Sequence, residues 1–297
     1  MKPRQLQAFV AVTEQASIRG AARVLGLSQP AVTKAVHELE REMGAPLVER
    51  SVTGVRLTGY GAAFAPRARL LLADMQRARD EIAQIRDGVS GRVAVAVSTS
   101  FALSVLPAAF RDFHAQSPAV DVQISEAVLP AMLARLRDGQ LDFAVAHVPP
   151  GVLDEAFTAT VLFPVQLVLG ARSRHPLRRS KSLHQLHAAE WVLPSAGDTS
   201  PSLEAQFFAL WGLALPARVI RSQSVTVALG LVGQMDLIGL FVEPLVQLAF
   251  KRHGIQRIEI EETLPTLNVC VLQRSGQRLT PAAQQLVDCM RRAALGQ

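Results

Sequence analysis

Residues 17–40 read Ser17-Ile-Arg-Gly-Ala-Ala-Arg-Val-Leu-Gly-Leu-Ser-Gln-Pro-Ala-Val-Thr-Lys-Ala-Val-His-Glu-Leu-Glu40, and this stretch decides the fold of the amino-terminal segment. Ser17 is placed to cap a helix in which Ala21, Ala22 and Leu25 share one face. Gly26 ends that helix. Ser28 caps the next one, and Pro30 falls in its first turn, where a missing N–H costs little. Val32, Val36, Leu39 and Met43 then recur at helical spacing, leaving Gln29, Thr33, Lys34, His37 and Arg41 on or near the outer face. Two helices joined by Gly26-Leu27-Ser28, the second with a polar start, form a helix-turn-helix pattern. The alanines allow close approach, and the glycine allows the sharp turn.

Working outward, Leu6, Phe9 and Val10 mark a preceding helix. On the other side, residues 47–50 and 55–57 are short β-like runs around Ser51-Val52-Thr53-Gly54, a hairpin or wing. Thr58 is placed to cap a long helix in which Phe64, Ala68, Leu71, Met75, Ala78, Ile82, Ile85 and Val89 alternate spacings of four and three. Arg and Asp fill its other faces, so the stripe predicts pairing with another helix, with packing on its own chain's core as the plainer alternative.

After a linker at Gly88-Val89-Ser90-Gly91 the periodicity changes. Strand patterns at 92–97, 120–126 and 142–146 alternate with helix patterns at 102–116 and 130–137. A second set follows, with strands at 165–170, 191–193, near 218–221 and at 237–242, and helices after Pro201 and from Val225. A strand at 267–272 and a helix at 281–294 close the chain. This alternation predicts a mainly parallel sheet covered on both faces, in two α/β halves joined by crossing strands around a cleft.

A chain of 297 residues with 49% hydrophobic residues has room for several cores. Its net charge of +6 favours an acidic partner only weakly, since 25 acidic residues face 31 basic ones. Cys270 and Cys289 lack zinc spacing and form no disulfide framework, which suits a reducing cytosol. The start, Met1-Lys2-Pro3-Arg4, runs straight into an amphipathic helix and does not read as a signal peptide. The most apolar stretch, 225–250, is broken by Gln234, Asp236, Glu243 and Pro244 and reads as buried helix, strand, helix. No membrane partner and a cytoplasmic location are expected. His184 and His187 have no further ligands spaced for a metal. No Gly-x-Ser-x-Gly elbow and no phosphate-binding glycine loop occurs, so no metal, cofactor or catalytic group is expected.

Residues 17–40, the continuation Gly44-Ala-Pro-Leu-Val-Glu-Arg50, and then Val55-Arg-Leu-Thr58 with Gly61 resemble the DNA-binding head of the LysR-type transcriptional regulators. The rest resembles that family's effector domain more loosely, at Gly139-Gln-Leu-Asp142 and 231–244. The resemblance implies a homodimer or homotetramer on an interrupted palindrome of double-stranded promoter DNA, with RNA polymerase as a further partner. It implies a small-molecule effector held in a cleft of a fold similar to periplasmic solute-binding proteins. The chain departs from the family pattern at Gln234-Met235-Asp236 and Ala127-Val128-Leu129, which bears on which effector it takes.

The expected fold is an α/β effector domain of two Rossmann-like subdomains, preceded by an all-α winged helix-turn-helix and a long linker helix. The expected divisions are 1–58 for the head, 59–89 for the dimerisation helix and 90–297 for the effector domain. Within the last, subdomain I takes about 91–161 and 266–297, and subdomain II about 162–265. Expected DNA contacts come from Ser28, Gln29, Pro30, Thr33 and Lys34 at the helix start, and from Arg50 and Arg56 on the wing. Expected effector contacts come from Ser98, Thr99 and Ser100, which follow a strand and open a helix, and from Ser195, Thr199 and Ser200 in the same relation in the second half. Phe101, Phe163 and Phe241 adjoin strand ends and predict an apolar lining, and His147 adds a hydrogen bond or plays a structural part. These clusters contain no arginine, so neutral donors would hold a small organic anion. Two rival readings are an α/β enzyme and a solute-binding protein, each with an attached DNA-binding head. The first lacks a nucleophile–base constellation and the second lacks a signal peptide.

Overall fold

A computed structural model describes residues 1–51, 54–87, 90–194 and 203–296, the side chains of Arg50, Asp87 and Leu203 excepted. It comprises two compact units, Met1–Gly88 with Arg137–Gln140, and Val89–Leu136 with Leu141–Gln297.

The first unit opens with α1 (Pro3–Gln15), α2 (Ile18–Leu25) and α3 (Gln29–Met43). The serines that the sequence offered as caps act as such: Ser17 Oγ accepts from Gly20 N at 3.2 Å, and Ser28 Oγ from Ala31 N at 3.3 Å. Gly26 and Gly44 close α2 and α3 in the left-handed conformation, where glycine carries no Cβ penalty. Ala8, Val12, Ala21, Ala22, Val32 and Val36 form one small core, and Leu6, Phe9, Leu39, Leu47, Ala65 and Ala68 form another. A hairpin of β1 (Val48–Ser51) and β2 (Gly54–Leu57) follows, pairing Glu49 with Arg56 and Arg50 with Val55. Ala16 is the one described non-glycine residue at positive φ, and its carbonyl accepts from Val55 N at 2.9 Å, so the wing rests on the turn after α1.

Thr58 Oγ1 accepts from Gly61 N at 3.0 Å at the start of α4 (Gly59–Asp87), a helix of 29 residues. Phe64 packs on Phe9 with ring centroids 5.5 Å apart, and Ala68 is buried. Farther along, the apolar stripe stands in solvent: Leu71 is 40% exposed, Ile82 64% and Ile85 70%. Within the single chain the stripe therefore serves the core only at its beginning. Val89 lies outside the described residues.

The second unit contains β3 (Gly91–Val97), α5 (Thr99–Ser104), α6 (Leu106–Gln116), β4 (Val120–Glu126), α7 (Leu129–Arg137), β5 (Phe143–Val148) and β6 (Phe157–Arg172). Of α7 only its final residue, Arg137, belongs to the first unit. The second unit continues with α8 (Leu183–Leu186), β7 (Glu190–Pro194), α9 (Leu203–Ala209), β8 (Val219–Ser222), α10 (Val225–Gln234), β9 (Leu237–Val242) and a π-helical turn at Val246–Phe250. It ends with α11 (Lys251–His253), β10 (Ile255–Ile258), β11 (Thr266–Arg274) and α12 (Pro281–Ala294). The buried helix, strand and helix read between 225 and 250 are α10, β9 and the π turn.

Among the described residues, nine strands form one sheet in the order β4-β3-β5-β11-β6-β9-β7-β8, with β10 also on β6. The sheet is mixed, not mainly parallel as the alternation predicted. Strands pair in parallel within β4-β3-β5 and within β9-β7-β8, but β11 and β6 run antiparallel to their neighbours. The sixteen residues of β6 serve both halves: 157–166 pair with β11, and Leu167–Gly170 pair with β9. Sequence alternation places a strand but does not give its direction, and the crossing strands reverse it here.

Candidate functional site

On α3, Gln29, Pro30, Thr33, Lys34 and His37 line one open surface depression. The helix is turned so because Val32, Ala35, Val36 and Leu39 are buried behind it. Gln29, Pro30, Lys34 and His37 are exposed and Thr33 is half-buried, so an amide, a hydroxyl, an ammonium and an imidazole face solvent together. Ser28 lies at the edge of this face as the cap, with its hydroxyl holding Ala31 N. The amino end of a helix favours phosphate, and the exposed groups match base edges in a major groove.

Glu40 fixes this helix to the wing, a role with no signal in the sequence pattern. Its Oε1 accepts from Leu47 N at 2.9 Å and Val48 N at 3.1 Å, and its Oε2 shares a 3.0 Å hydrogen bond with His37 Nδ1. Arg56 is exposed on β2. The side chain of Arg50 lies outside the described residues. His37 was on the outer face by periodicity, and the structure adds it to the depression that Thr33 and Lys34 line.

In the second unit, Ser98 ends β3 and opens α5, with its N–H on Val145 O at 2.9 Å. Its Oγ is buried and makes no hydrogen bond among the described residues. Thr99 Oγ1 donates to Glu126 Oε1 at 2.6 Å. Ser100 is 4% exposed, and its Oγ lies 3.0 Å from His147 Nε2 at the end of β5. Burial pushes the His147 imidazole down to a pKa of about 4, so it is neutral at physiological pH. The structure thus brings Ser98, Thr99, Ser100 and His147 to the carboxyl ends of two adjacent strands.

It does not turn Phe101 and Phe241 toward them. Phe101 is 1% exposed inside the core, and Phe241 is 5% exposed with its ring edge-on to Phe250 at 5.2 Å. Each serves packing instead of the apolar lining expected of it. Phe163 is half-buried on β6, opposite Val269. Ser195, Thr199 and Ser200 lie outside the described residues. No group of three or more metal-ligating side chains occurs among the described residues, and none of their helices is long and apolar enough to cross a membrane.

Two family models match the chain: a bacterial regulatory helix-turn-helix of the lysR family over residues 3–62, and a LysR substrate binding domain over 86–295. The transcriptional regulator GalR of Pseudomonas putida is 29% identical over 97% of this chain and 73% of its own length. The regulator TdcA of Escherichia coli is 28% identical over 97% of this chain and 91% of its own. PcaQ of Agrobacterium fabrum is 30% identical over 77% and 74%. In fold, the chain resembles CbnR, a LysR family transcriptional regulator, at a TM-score of 0.69 and 23% identity over 99% of each chain. It also resembles full-length CbnR complexed with its target DNA, at a TM-score of 0.68 and 24% identity, over 99% of this chain and 100% of that one.

The clamp at Glu40 has a measurable consequence. Glu40→Ala leaves two backbone donors without their carboxylate, a loss of about 1–3 kcal/mol. We expect a lower thermal midpoint together with weaker DNA binding, while Glu40→Gln, which keeps an acceptor oxygen, recovers much of both. An unchanged midpoint for Glu40→Ala would mean that the clamp adds nothing to stability.

Proposed function

We propose a mechanism from the premise that this chain belongs to the LysR family of transcriptional regulators: α3 and the wing read promoter DNA, and an anion bound in the second unit sets the response. The observation that carries the DNA half is the surface depression lined together by Gln29, Pro30, Thr33, Lys34 and His37. In this reading Gln29 pairs with adenine, Thr33 meets a thymine methyl or a phosphate, and Lys34 reaches guanine or phosphate. Ser28 and Pro30 shape the helix start, and Arg50 and Arg56 hold phosphates from the wing. Replacing Thr33 and Lys34 with alanine is expected to cost about 1–3 kcal/mol for each base interaction removed, read by gel shift on the chain's own upstream DNA. Normal operator binding by the double variant would defeat the assignment.

We assign 1–58 to the head, 59–89 to a pairing helix and 90–297 to effector binding, the last divided at about 161/162 and 265/266. The stripe at Leu71, Met75, Ile82 and Ile85, left in solvent by the single chain, supports a homodimer or homotetramer through α4. Asp at Leu71 and Ile82 costs the lone chain little and places unpaired charge in a paired seam, at about 3–5 kcal/mol for a buried charge. Sedimentation should show loss of the oligomer with the fold intact, and an unchanged oligomer overturns this pairing. RNA polymerase as a partner, a cytoplasmic location and the absence of enzymatic activity belong to the same reading, which the regulator names of the relatives support.

The effector we assign is a small organic anion. Ser98 Oγ is a buried hydroxyl without a partner among the described residues, beside the neutral Ser100–His147 pair. Thr99 already serves Glu126, so recognition falls to Ser98, Ser100 and His147. Phe163 supplies an apolar neighbour in this reading, and Ser195, Thr199 and Ser200 complete the set of neutral donors. A thermal-shift screen of small carboxylates, sulfonates and aromatic acids should yield a ligand, since binding raises apparent stability. Ser98→Ala should weaken that ligand roughly tenfold or more by calorimetry, as loss of a hydrogen bond to a charged group does. Undiminished affinity places the pocket elsewhere.

A further inference from the structure

The second unit carries a basic surface that the effector reading leaves unused. Residues 172–181 read Arg-Ser-Arg-His-Pro-Leu-Arg-Arg-Ser-Lys, and α11 is Lys251-Arg252-His253. The two segments meet where Ser173 N donates to Gly254 O at 3.0 Å, next to the register pair Ile255 and Arg172. Arg174, Arg178, Arg179, Lys181, Lys251 and Arg252 are all exposed. Among the described residues none of these six forms an ion pair, while the neighbouring acids are mostly engaged. Arg172 holds Asp236 at 2.8 Å and keeps its carboxyl below the usual range, and Arg257 pairs with Glu243 at 2.6 Å and Glu259 at 3.0 Å. Glu261, whose N–H reaches Lys181 O at 2.8 Å, is the acid tied to the patch through the backbone. His175, in the middle of the first segment, is buried with its pKa lowered by desolvation and adds no charge.

The junction of the two segments, at Arg172, Ser173 and Gly254, sits at the beginning of β9, by Asp236, whereas Val242 ends that strand at the opposite edge. That junction is separate from any ligand at the carboxyl ends of the parallel strands. A protein partner would need an apolar centre to its interface. No large apolar side chain of 172–181 or 251–254 is exposed, so these two segments offer mainly charge, with Met235 and Leu248 as the exposed apolar neighbours. Four of the six cations are arginines, whose planar guanidinium matches phosphate oxygens two at a time. Because the chain already holds DNA through its head, a second phosphate interaction from the same molecule is intramolecular and gains from high effective concentration.

We propose that this face of the second unit is a second, sequence-independent DNA-binding surface that engages the phosphate backbone of duplex flanking the site read by α3. It rests on the DNA-binding assignment and is tested apart from it. The full-length protein, Arg178→Gln/Arg179→Gln and Lys251→Gln/Arg252→Gln are titrated by anisotropy against two fragments of the upstream DNA. One fragment carries only the footprinted site, and the other extends it by several helical turns on each side. Removing two phosphate-neutralising cations should reduce the slope of log affinity against log salt by about 1.8. On the long fragment, the fall in affinity between 50 mM and 200 mM salt should thus be about tenfold smaller for each variant than for the parent. On the short fragment parent and variants should agree, which also shows that the head still binds and the variants are folded. Equal slopes on the long fragment overturn the proposal. So does a variant that binds both fragments like the parent yet loses promoter activation, because the patch would then serve an acidic protein instead.

Discussion

A helix that offers polar groups to a DNA groove must be held from behind, and here Val32, Val36 and Leu39 do the holding. Their burial against α1 and α2 sets the rotation of α3 about its axis. A turn of about 100° would carry Thr33 and Lys34 away from the depression they share with Gln29 and His37. The small residues Ala21 and Ala22 matter for the same reason, since bulk there would push α2 off α3. Glu40 then carries the constraint outward. A carboxylate on the flank of α3, one turn beyond His37, grips the two backbone donors that begin the wing, so helix and hairpin keep one relative position.

The second unit follows another logic. Two parallel three-stranded arrays are joined through two antiparallel strands, and the conformation of each half depends on β6 running unbroken from Phe157 to Arg172. Leu167 N donates to Pro265 O at 3.1 Å, and Glu243 N to Gln166 O at 2.9 Å, where the pairing of β6 passes from β11 to β9. The polar groups Ser98, Ser100 and His147 lie on one side of that passage, at the ends of β3 and β5. In the reading proposed above, neutral groups in such a place would hold an anion by dipoles, without the cost of burying a cation first.

The head was legible because its signals are local. A cap, a first-turn proline and a closing glycine bracket α3, and the apolar spacing gives its inner face. The final helix was equally plain, with Thr280 capping and Pro281 in the first turn. Strand direction was not legible, because the same alternation serves a parallel and an antiparallel neighbour. The first part of β6 was missed since Thr158, Ala159, Thr160 and Val161 are all exposed and show no buried alternation. β10 was likewise not read from the sequence. Phe101 and Phe241 could be placed near strand ends from sequence, but the side on which a ring packs is decided by tertiary neighbours such as Phe250. Glu40 was invisible for a related reason: its partners are backbone amides seven and eight residues onward, which carry no residue identity.

The double duty of β6 limits how the two halves of the second unit can move. A single flexible connection would allow them to swing like a door. Here one continuous strand crosses the junction, and a second crossing returns beside it at Pro265. Bending both within the plane of the sheet would stretch one and compress the other, breaking ladder hydrogen bonds. Rotation about the common strand axis changes only the sheet's natural twist and leaves those bonds in place. The joint is therefore stiff in bending and soft in torsion, so motion between the two halves is expected chiefly as a wringing of the sheet, with little linear displacement at the junction.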